Sequence, residues 1–302
     1  MRPFGWFRRA PQEDQDVRQS PRRWAWIGGR RMLTSTPYVF PKDKLEGDRL
    51  DLQHHLYKLA LDGNYRAPLR QPRAVLDVAC GTGIWGREMA QKFKRARVVG
   101  FDIDRTPLEA SIERLGPSGQ FPPNFTFVTA DALKRFPFED EAFDFTHARL
   151  IGPFVPTARW PDVVAEMVRV TRLGGYIELV DAEPASSPST AYAAMWDAVV
   201  RLLSMRGLNG GSGPYLADYL RQAGLQHVEQ RRFLIGAGRQ QRREQRLLIA
   251  DFLAALTNMQ PIIVKAGIMS DADYSATLER TKVELPEMGI TFPVVCAFGQ
   301  RL

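Results

Sequence analysis

The sequence predicts an α/β protein with a doubly wound, seven-stranded and mostly parallel sheet. Seven short apolar segments have the length of buried strands, and most of them alternate with segments of helical periodicity. Strands that are apolar throughout are typical of a parallel sheet covered by helices on both faces. A glycine-rich turn joins the first of these strands to the next helix, as in folds that bind ligands at the carboxyl ends of their strands.

Helices and strands are predicted from residue 45 to residue 298. Strands are predicted at residues 74–78, 98–102, 125–128, 143–146, 176–180, 227–235 and 291–298. Helices are predicted at residues 45–61, 84–93, 107–115, 160–170, 191–205, 215–223, 242–266 and 271–285. Pro261 is expected to kink or to start a helix, and Ser270 is expected to be an N-cap. A turn with four glycines occupies residues 207–213.

The chain is expected to divide into four regions. Residues 1–33 are predicted to be a flexible basic tail, because Arg, Pro and Trp occur there without a period. Residues 34–72 are expected to form an N-terminal helical cap, and residues 73–182 a ligand-binding core. Residues 183–302 are expected to supply a C-terminal helical lid insertion and the final strands of the sheet.

The composition is that of a folded protein. Of the 302 residues 44% are hydrophobic and 25% are charged, which excludes a disordered chain, a collagen and a coiled coil. No apolar run approaches the 18 residues of a membrane span and no secretory signal is visible, so we expect a cytoplasmic protein without a membrane partner. Cys80 and Cys296 fit neither a disulfide framework nor a zinc pattern, so no metal is expected.

The charge is positive and localised. Lys and Arg number 41 against 34 Asp and Glu, a net charge of +7. Eight Arg lie in residues 1–33 and six in residues 231–246. We interpret these as a solvated tail and a charged helix face, with a phosphate-rich or acidic partner as the alternative. No zinc finger, basic zipper or RNA-binding signature occurs, so nucleic acid is not the expected partner.

The glycine-rich turn is the first candidate binding feature. Gly81 and Gly83 can adopt positive φ and let a ligand approach the backbone N–H groups of the following helix. Asp102 ends the next predicted strand, where a carboxylate can accept hydrogen bonds from both hydroxyls of a ribose. Asp104 could share that role, or both acids could merely cap a helix. Asp77 could order the turn or meet a cationic group of the ligand. The combination favours a nucleoside that carries an amino acid over a pyrophosphate.

These motifs resemble those of a known enzyme class. Asp77 with Gly81-Thr82-Gly83, then Asp102, then residues 129–132, 143–144 and 173–175 resemble the successive motifs of class I S-adenosylmethionine-dependent methyltransferases, whose fold is Rossmann-like. Residues 36–182 also resemble a narrower family, which includes fungal regulators of secondary metabolism and bacterial natural-product methyltransferases. That narrower resemblance rests on residues 38–41, 83–85, 147–149, 160–161 and 174–178, and on Glu46, Arg49, Leu50, Gln53 and His54.

The resemblance implies that S-adenosylmethionine is the cofactor. It places the following residues in the cofactor site: Tyr38, His54, Asp77, Ala79, Cys80, Gly81, Gly83, Trp85, Asp102, Ile103, Asp131, Ala132 and His147. Asp77 would face the amino group of the cofactor, Asp102 would bind the ribose, and Ile103 would pack on the adenine. Asp131 would reach the adenine amino group. Ala79 stands where the family usually has its first glycine, and alanine is tolerable there if its φ is negative.

Two residues are candidates for catalysis. His147 could be a general base or an orienting group, because imidazole titrates near neutral pH. It could equally be a structural histidine near the cofactor. Arg149 could orient a carboxylate or phosphate of the substrate, although we favour a structural pairing with Asp144 or Glu178.

The resemblance further implies methyl transfer to O, N or C of a small, moderately apolar molecule, in natural-product biosynthesis. A pocket for it could be lined by Met195, Trp196, Tyr215, Met259 and Met269, or these residues could be ordinary core. The alternatives are a regulatory protein, or a cyclase-like protein that binds S-adenosylmethionine without transferring its methyl group. A nucleic-acid methyltransferase is disfavoured, because His147-Ala148-Arg149-Leu150 stands where such enzymes have an Asn/Asp-Pro-Pro-Tyr/Phe motif. A homodimer is compatible with the sequence.

Overall fold

The computed structural model describes residues 24–36, 38–115, 121–236 and 242–302. A hairpin is formed by β1 (Trp24–Ile27) and β2 (Arg30–Leu33). The main sheet contains β3 (Ala74–Val78), β4 (Arg97–Asp102), β5 (Phe125–Thr129), β6 (Phe143–Arg149), β7 (Thr171–Ala182), β8 (Gln226–Ile235) and β9 (Phe292–Gln300). The α-helices are α1 (Lys44–Ala60), α2 (Ile84–Lys92), α3 (Thr106–Leu115), α4 (Trp160–Val170), α5 (Thr190–Ser204), α6 (Leu216–Gln222), α7 (Arg242–Lys265) and α8 (Asp271–Met288). Short 3-10 turns lie at Thr157–Arg159 and Gly213–Tyr215.

The strand order of the main sheet is β5-β4-β3-β6-β7-β9-β8. Strands β3 to β7 are parallel, whereas β9 runs antiparallel to both of its neighbours, β7 and β8. The predicted doubly wound, seven-stranded and mostly parallel sheet is thus confirmed. The chain reverses its direction of winding between β3 and β6, and such a point opens a crevice at the carboxyl ends of the strands.

Helices cover both faces of the sheet. On one face α4 and α6 bury apolar side chains against β3, β4, β6 and β7. On the other face α2 packs on β3 and β4, while α1 and α7 pack near β7 and β9. The central strand β3 has all five of its side chains buried, which is why four of the five are apolar and do not alternate with polar ones; the exception is Asp77. A third apolar cluster joins α5, α7 and α8 to the hairpin.

The hairpin corrects the predicted extent of the basic tail. Residues 24–33 are not tail, because Gly28 and Gly29 have φ of 54° and 73° and form a two-residue turn between paired strands. A Cβ on Gly28 would lie 2.7 Å from the ring of Pro261, so only glycine allows the turn to approach α7 so closely. The rest of the predicted tail, residues 1–23, lies outside the described residues.

The helix α7 is a single helix that continues through Pro261. Residues Arg243–Lys265 are long and apolar enough to cross a membrane, but half of this stretch is buried inside the fold. It packs on α1, α5 and α8. We therefore interpret α7 as a core helix. The predicted N-cap of α8 is confirmed, because the Ser270 side chain accepts a hydrogen bond from the backbone N–H of Asp273.

Candidate active site

A cavity of about 300 Å³ opens at the carboxyl ends of the central strands. Its walls come from the loops after β3, β4, β5, β6 and β7, from residues 35–36 and 38–42, and from α1, α5 and α7. The predicted cofactor-site residues that line it are Tyr38, Asp77, Ala79, Cys80, Gly81, Trp85, Asp102, Ile103, Asp131, Ala132 and His147. Arg149 lines it as well. His54 and Gly83 do not reach the cavity surface.

The glycine-rich turn has the backbone geometry that its sequence predicts at both glycines. Gly81 and Gly83 have φ of 55° and 72°. Gly83 precedes α2, and a Cβ there would lie 2.7 Å from a methyl group of Leu108. Glycine is therefore required at position 83 for close packing against Leu108. This residue does not line the cavity. The condition under which alanine is tolerable at position 79 is not met, because the φ of Ala79 is +55°. An L-residue with a side chain is strained in this left-handed conformation.

Asp102 fastens the turn to β4. Its Oδ2 accepts a hydrogen bond from the Gly81 N–H at 3.0 Å, and its Oδ1 lies 3.8 Å from the Lys42 ammonium. Asp104 has a different role, because its Oδ1 accepts hydrogen bonds from the backbone N–H and hydroxyl of Thr106 at the start of α3. Of the two alternatives for Asp104, helix capping is therefore the one that the structure supports. Sequence reasoning missed Lys42, which no motif marks.

Three buried ionisable side chains form a row across neighbouring strands. Asp77 on β3 pairs in register with His147 on β6, and His147 pairs with Glu178 on β7. The His147 Nδ1 lies 3.3 Å from the Asp77 Oδ1, and its Nε2 lies 3.9 Å from the Glu178 Oε1. The imidazole stacks on Trp85 with ring centroids 4.0 Å apart. Glu178 Oε2 accepts hydrogen bonds from the backbone N–H groups of residues 66 and 67, each at 2.7 Å.

Burial controls the protonation of this row. Burial lowers the pKa of His147, although the neighbouring Asp77 opposes that shift. Burial also raises the pKa of Glu178 to about 7, against the two backbone hydrogen bonds that favour its anion. His147 is therefore a neutral imidazole at pH 7. With its Nδ1 proton donated to Asp77, it holds that carboxylate in a fixed position.

The expected pairing of Arg149 is wrong. The carboxylate of Asp144 is bound by Arg172 and by backbone N–H groups, and Glu178 is bound by backbone N–H groups. The Arg149 guanidinium instead donates to the His54 Nδ1 at 2.8 Å and lies over the ring of Tyr57. It points toward α1, which sequence periodicity alone does not reveal.

His54 lies behind Arg149 rather than at the cavity. Burial first, and then the charge of Arg149, lower the pKa of His54 to about 4, against the opposing effect of Glu88. Within the described ranges, His54, His55 and Glu88 are close enough together to hold a metal ion. However, Arg149 occupies one nitrogen of His54, and Lys58 binds Glu88 at 2.6 Å. These two cations disfavour a bound metal ion.

The far wall of the cavity consists mainly of residues from beyond β7. Of the five side chains considered for a substrate pocket, Trp196 and Met259 line it. Met195 is buried in the cluster of α5, α7 and α8, Met269 packs against that cluster, and Tyr215 is half exposed. Other apolar lining residues are Leu150, Phe154, Val199, Leu203, Phe252 and Phe292. No short motif marks this wall, so sequence reasoning missed most of it.

One side of the cavity carries a buried ionic network. Arg49 on α1 donates to Glu46 at 2.6 and 2.9 Å and to Asp251 on α7 at 2.8 Å. Asn258 donates to the same Glu46 at 2.7 Å. The network connects α1 to α7. The first two turns of α1 are therefore held in place by these polar contacts rather than by an apolar face. Leu45 and Leu59, which have helical spacing in that segment, are exposed.

Comparisons with known proteins agree with this geometry. Residues 75–175 match the family described as Methyltransferase domain. Methyltransferase pytC of Aspergillus terreus is 30% identical over 247 residues, which cover 76% of this chain and 72% of that protein. Secondary metabolism regulator LAE1 of Cochliobolus heterostrophus is 33% identical over 172 residues, 54% of this chain and 50% of that protein.

A solved structure supports the fold. It is that of Haemonchus contortus phosphoethanolamine N-methyltransferase 2 in complex with phosphomonomethylethanolamine and S-adenosylhomocysteine. It superposes with a TM-score of 0.51 at 15% identity, covering 86% of this chain and 60% of that one. From the family match and the relative that it resembles over most of both lengths, the chain belongs to the S-adenosylmethionine-dependent methyltransferases.

Proposed function

We propose that this chain transfers a methyl group to O, N or C of a small, moderately apolar molecule in natural-product biosynthesis. The observation that carries the proposal is a single cavity with two unlike ends. One end has the glycine-rich turn and the acids of β3 and β4, and the other is lined mainly by aromatic and aliphatic side chains. A cofactor and an apolar acceptor would meet in such a cavity away from bulk water.

The polar end fits S-adenosylmethionine, which supplies an electrophilic methyl group when bound. Asp77 lines the cavity, and its Oδ2 is buried without a hydrogen-bond partner among the described residues, so this carboxylate suits an ammonium group. Asp102 has the position to accept ribose hydroxyls. Ile103 and Ala132 would pack on an adenine, and Asp131 would accept from its amino group.

We propose that His147 orients Asp77 rather than acting as a general base. Its side chain is fully buried, its ring is held against Trp85, and its Nδ1 is engaged by Asp77. Burial lowers its pKa, so it is a weaker base than an exposed histidine.

We also propose that residues 34–72 and 183–302 cover the core of residues 73–182 and enclose the substrate. Both regions contribute to the cavity wall, through residues such as Phe40, Trp196 and Phe252. The expected setting is cytoplasmic, with a small molecule rather than nucleic acid or membrane as the partner.

A regulatory or non-methylating role is the second candidate. The relative that favours it is named a secondary metabolism regulator and matches 54% of this chain. A protein with this role would bind the cofactor, yet no methyl group would reach a small molecule.

Methyl transfer can be tested with S-adenosylmethionine labelled with tritium in its methyl group. The protein is incubated with a set of small aromatic alcohols, amines and ketones, and the label is counted in the organic extract. We expect label in at least one product, lost in Asp77→Ala and retained in Asp197→Ala, which changes an exposed acid on α5. Cofactor binding without label in any extract would favour the second candidate.

A further inference from the structure

The turn with four glycines lies directly against the end of β7. A Cβ on Gly211 would lie 2.6 Å from the ring of Pro184, and a Cβ on Gly213 would lie 3.0 Å from the carbonyl oxygen of Ala182. Real Cβ atoms do not approach ring atoms as closely as 2.6 Å, so position 211 requires glycine. At position 213 the Cβ would also lie 2.9 Å from a methyl group of Val295, so any larger residue there would have to displace its neighbours. The residue between them, Ser212, is consequently held against the strand and is 1% exposed.

Gly152, in the loop after β6, brings a second group to the same place. A Cβ there would lie 2.6 Å from the Ser212 Oγ and 2.7 Å from the Asp181 Oδ2. Both oxygens therefore face the space beside one glycine, and all three residues line the cavity. Because the elements that bring them together come from three separate parts of the chain, the close packing of glycines is what forms this site.

Each of the two side chains has unused hydrogen-bonding capacity. The Asp181 Oδ2 accepts from the Gly152 N–H at 2.9 Å, and its Oδ1 accepts from the Ala182 N–H at 2.8 Å. Each carboxylate oxygen can accept a second hydrogen bond. The Ser212 Oγ is buried and has no partner among the residues that the structure describes. A buried hydroxyl without a partner is costly unless a ligand satisfies it.

A carboxylate beside a hydroxyl is complementary to an alcohol or a phenol. The O–H of such an acceptor donates to the carboxylate, and its oxygen has two lone pairs. One lone pair can accept from Ser212 while the other attacks. A neutral amine has one lone pair, which the Ser212 hydroxyl would occupy, and a carboxylate acceptor would be repelled by Asp181.

We propose that Asp181 and Ser212 bind the hydroxyl group of the acceptor and that Asp181 takes up its proton. This rests on the proposed function and narrows it to O-methylation. The acceptor oxygen forms a bond to the methyl carbon, the sulfur–carbon bond breaks with its electron pair going to sulfur, and the hydroxyl proton passes to the Asp181 carboxylate. The product is a neutral methyl ether, and Asp181 then releases the proton to water.

The protonation of Asp181 is consistent with this role. Burial raises its pKa to about 6, against its two backbone hydrogen bonds. At neutral pH it is thus ionised, yet more basic than an exposed aspartate. Across the described part of the chain no Lys or Arg forms an ion pair with it, whereas Asp251 in the same cavity is paired with Arg49.

The test compares 2-naphthol with its methyl ether, 2-methoxynaphthalene. Both are titrated into the protein by calorimetry with S-adenosylhomocysteine at saturation, so that no reaction is needed for the measurement. We expect 2-naphthol to bind at least ~10-fold more tightly than the ether, because a hydrogen bond to a charged group contributes about 1.5–3 kcal/mol. This preference should fall to about 2-fold or less in Asp181→Asn, and remain in Asp218→Asn, which changes an exposed acid on α6.

Ser212→Ala separates a binding role from a structural one. Removing an unpartnered buried hydroxyl should leave the melting temperature unchanged or higher, while 2-naphthol binding weakens several-fold. This variant also keeps the proposal testable where Asp181→Asn does not fold. Equal affinity of wild type for the two naphthalenes, binding of neither, or an unaltered preference in both variants would overturn the proposal. A wild type that does not bind S-adenosylhomocysteine would instead refute the proposed function itself.

Discussion

The buried Glu178 makes the stability of this protein depend on pH in a way that one substitution can isolate. Its side chain is fully buried, and burial raises its pKa to about 7 from an ordinary value of 4.5. Glu178→Gln keeps the shape of the protonated side chain, and the amide oxygen can still accept the two backbone hydrogen bonds now made to Oε2. The substitution therefore removes little except the cost of the buried charge.

The magnitude follows from linkage. Below pH 4.5 the side chain is protonated in both the folded and the unfolded protein, so the buried charge costs the wild type none of its free energy of unfolding. Between about pH 4.5 and 7 the unfolded chain loses the proton and the folded protein keeps it, and the wild type loses 1.36 kcal/mol per pH unit. Above pH 7 the loss is complete, at about 3 kcal/mol.

The assay is urea denaturation of wild type and Glu178→Gln at several pH values from 4.5 to 8. We expect the free energy of unfolding of the variant, relative to wild type, to rise across this range and to level off above pH 7. The matched control is Glu279→Gln, since Glu279 is exposed on α8, and its difference from wild type should stay flat. A flat difference for Glu178→Gln as well would refute the argument from burial.

Four further predictions concern individual contacts. Arg49→Met leaves Glu46 and Asp251 buried without their cation, and urea denaturation should show a loss of about 3–5 kcal/mol; a loss below about 1 kcal/mol would mean that these acids are protonated or solvated. Ala79→Gly relieves a left-handed alanine, so thermal unfolding should show a gain of up to about 1 kcal/mol, and a loss of that size would contradict the strain. Gly152→Ala should abolish 2-naphthol binding while S-adenosylhomocysteine still binds, because the added methyl group meets both Asp181 and Ser212; unchanged naphthol binding would place the hydroxyl elsewhere. The rate of methyl transfer should fall as the pH drops through about 6, where Asp181 becomes protonated, and Asp181→Asn should remove this dependence; the same acid limb in the variant would assign it to another group.

The sequence predicts the core well because burial on both faces makes a strand apolar along most of its length. The predicted strand at residues 74–78 and the predicted helix at residues 160–170 have the observed bounds of β3 and α4. The start of β7 is missed by five residues. Its first pair, between Thr171 and Phe143, depends on a neighbouring strand and not on local pattern.

Two of the failures have a common physical cause, because partners distant in sequence decide the conformation. The conformation of Ala79 is set by the turn that Asp102 fastens, and no local preference of alanine indicates it. The direction of Arg149 depends on His54, 95 residues away along the chain. The hairpin of β1 and β2 is a different case: it has a local signal in Gly28-Gly29, but the arginines and tryptophans around that pair are not typical of a strand pattern.

One side of the candidate site could be predicted from the sequence and the other could not. Its cofactor side lies on residues with sequence motifs, and nearly all of the predicted residues line the cavity. Its acceptor side is formed by the packing of glycines on β7, and the sequence indicates only that a glycine-rich turn exists at residues 207–213. Glycines needed for close approach cannot be distinguished by sequence from glycines that allow a loop to bend.

The central claim is that the acids at the ends of β3 and β4 bind the cofactor. The most direct test is calorimetric titration of S-adenosylhomocysteine into wild type, Asp102→Ala and Asp197→Ala. We predict binding to wild type and to Asp197→Ala, with affinity at least ~10-fold weaker in Asp102→Ala, because hydrogen bonds to a charged carboxylate are lost. Equal affinity for all three proteins, or no binding to wild type, would contradict the account.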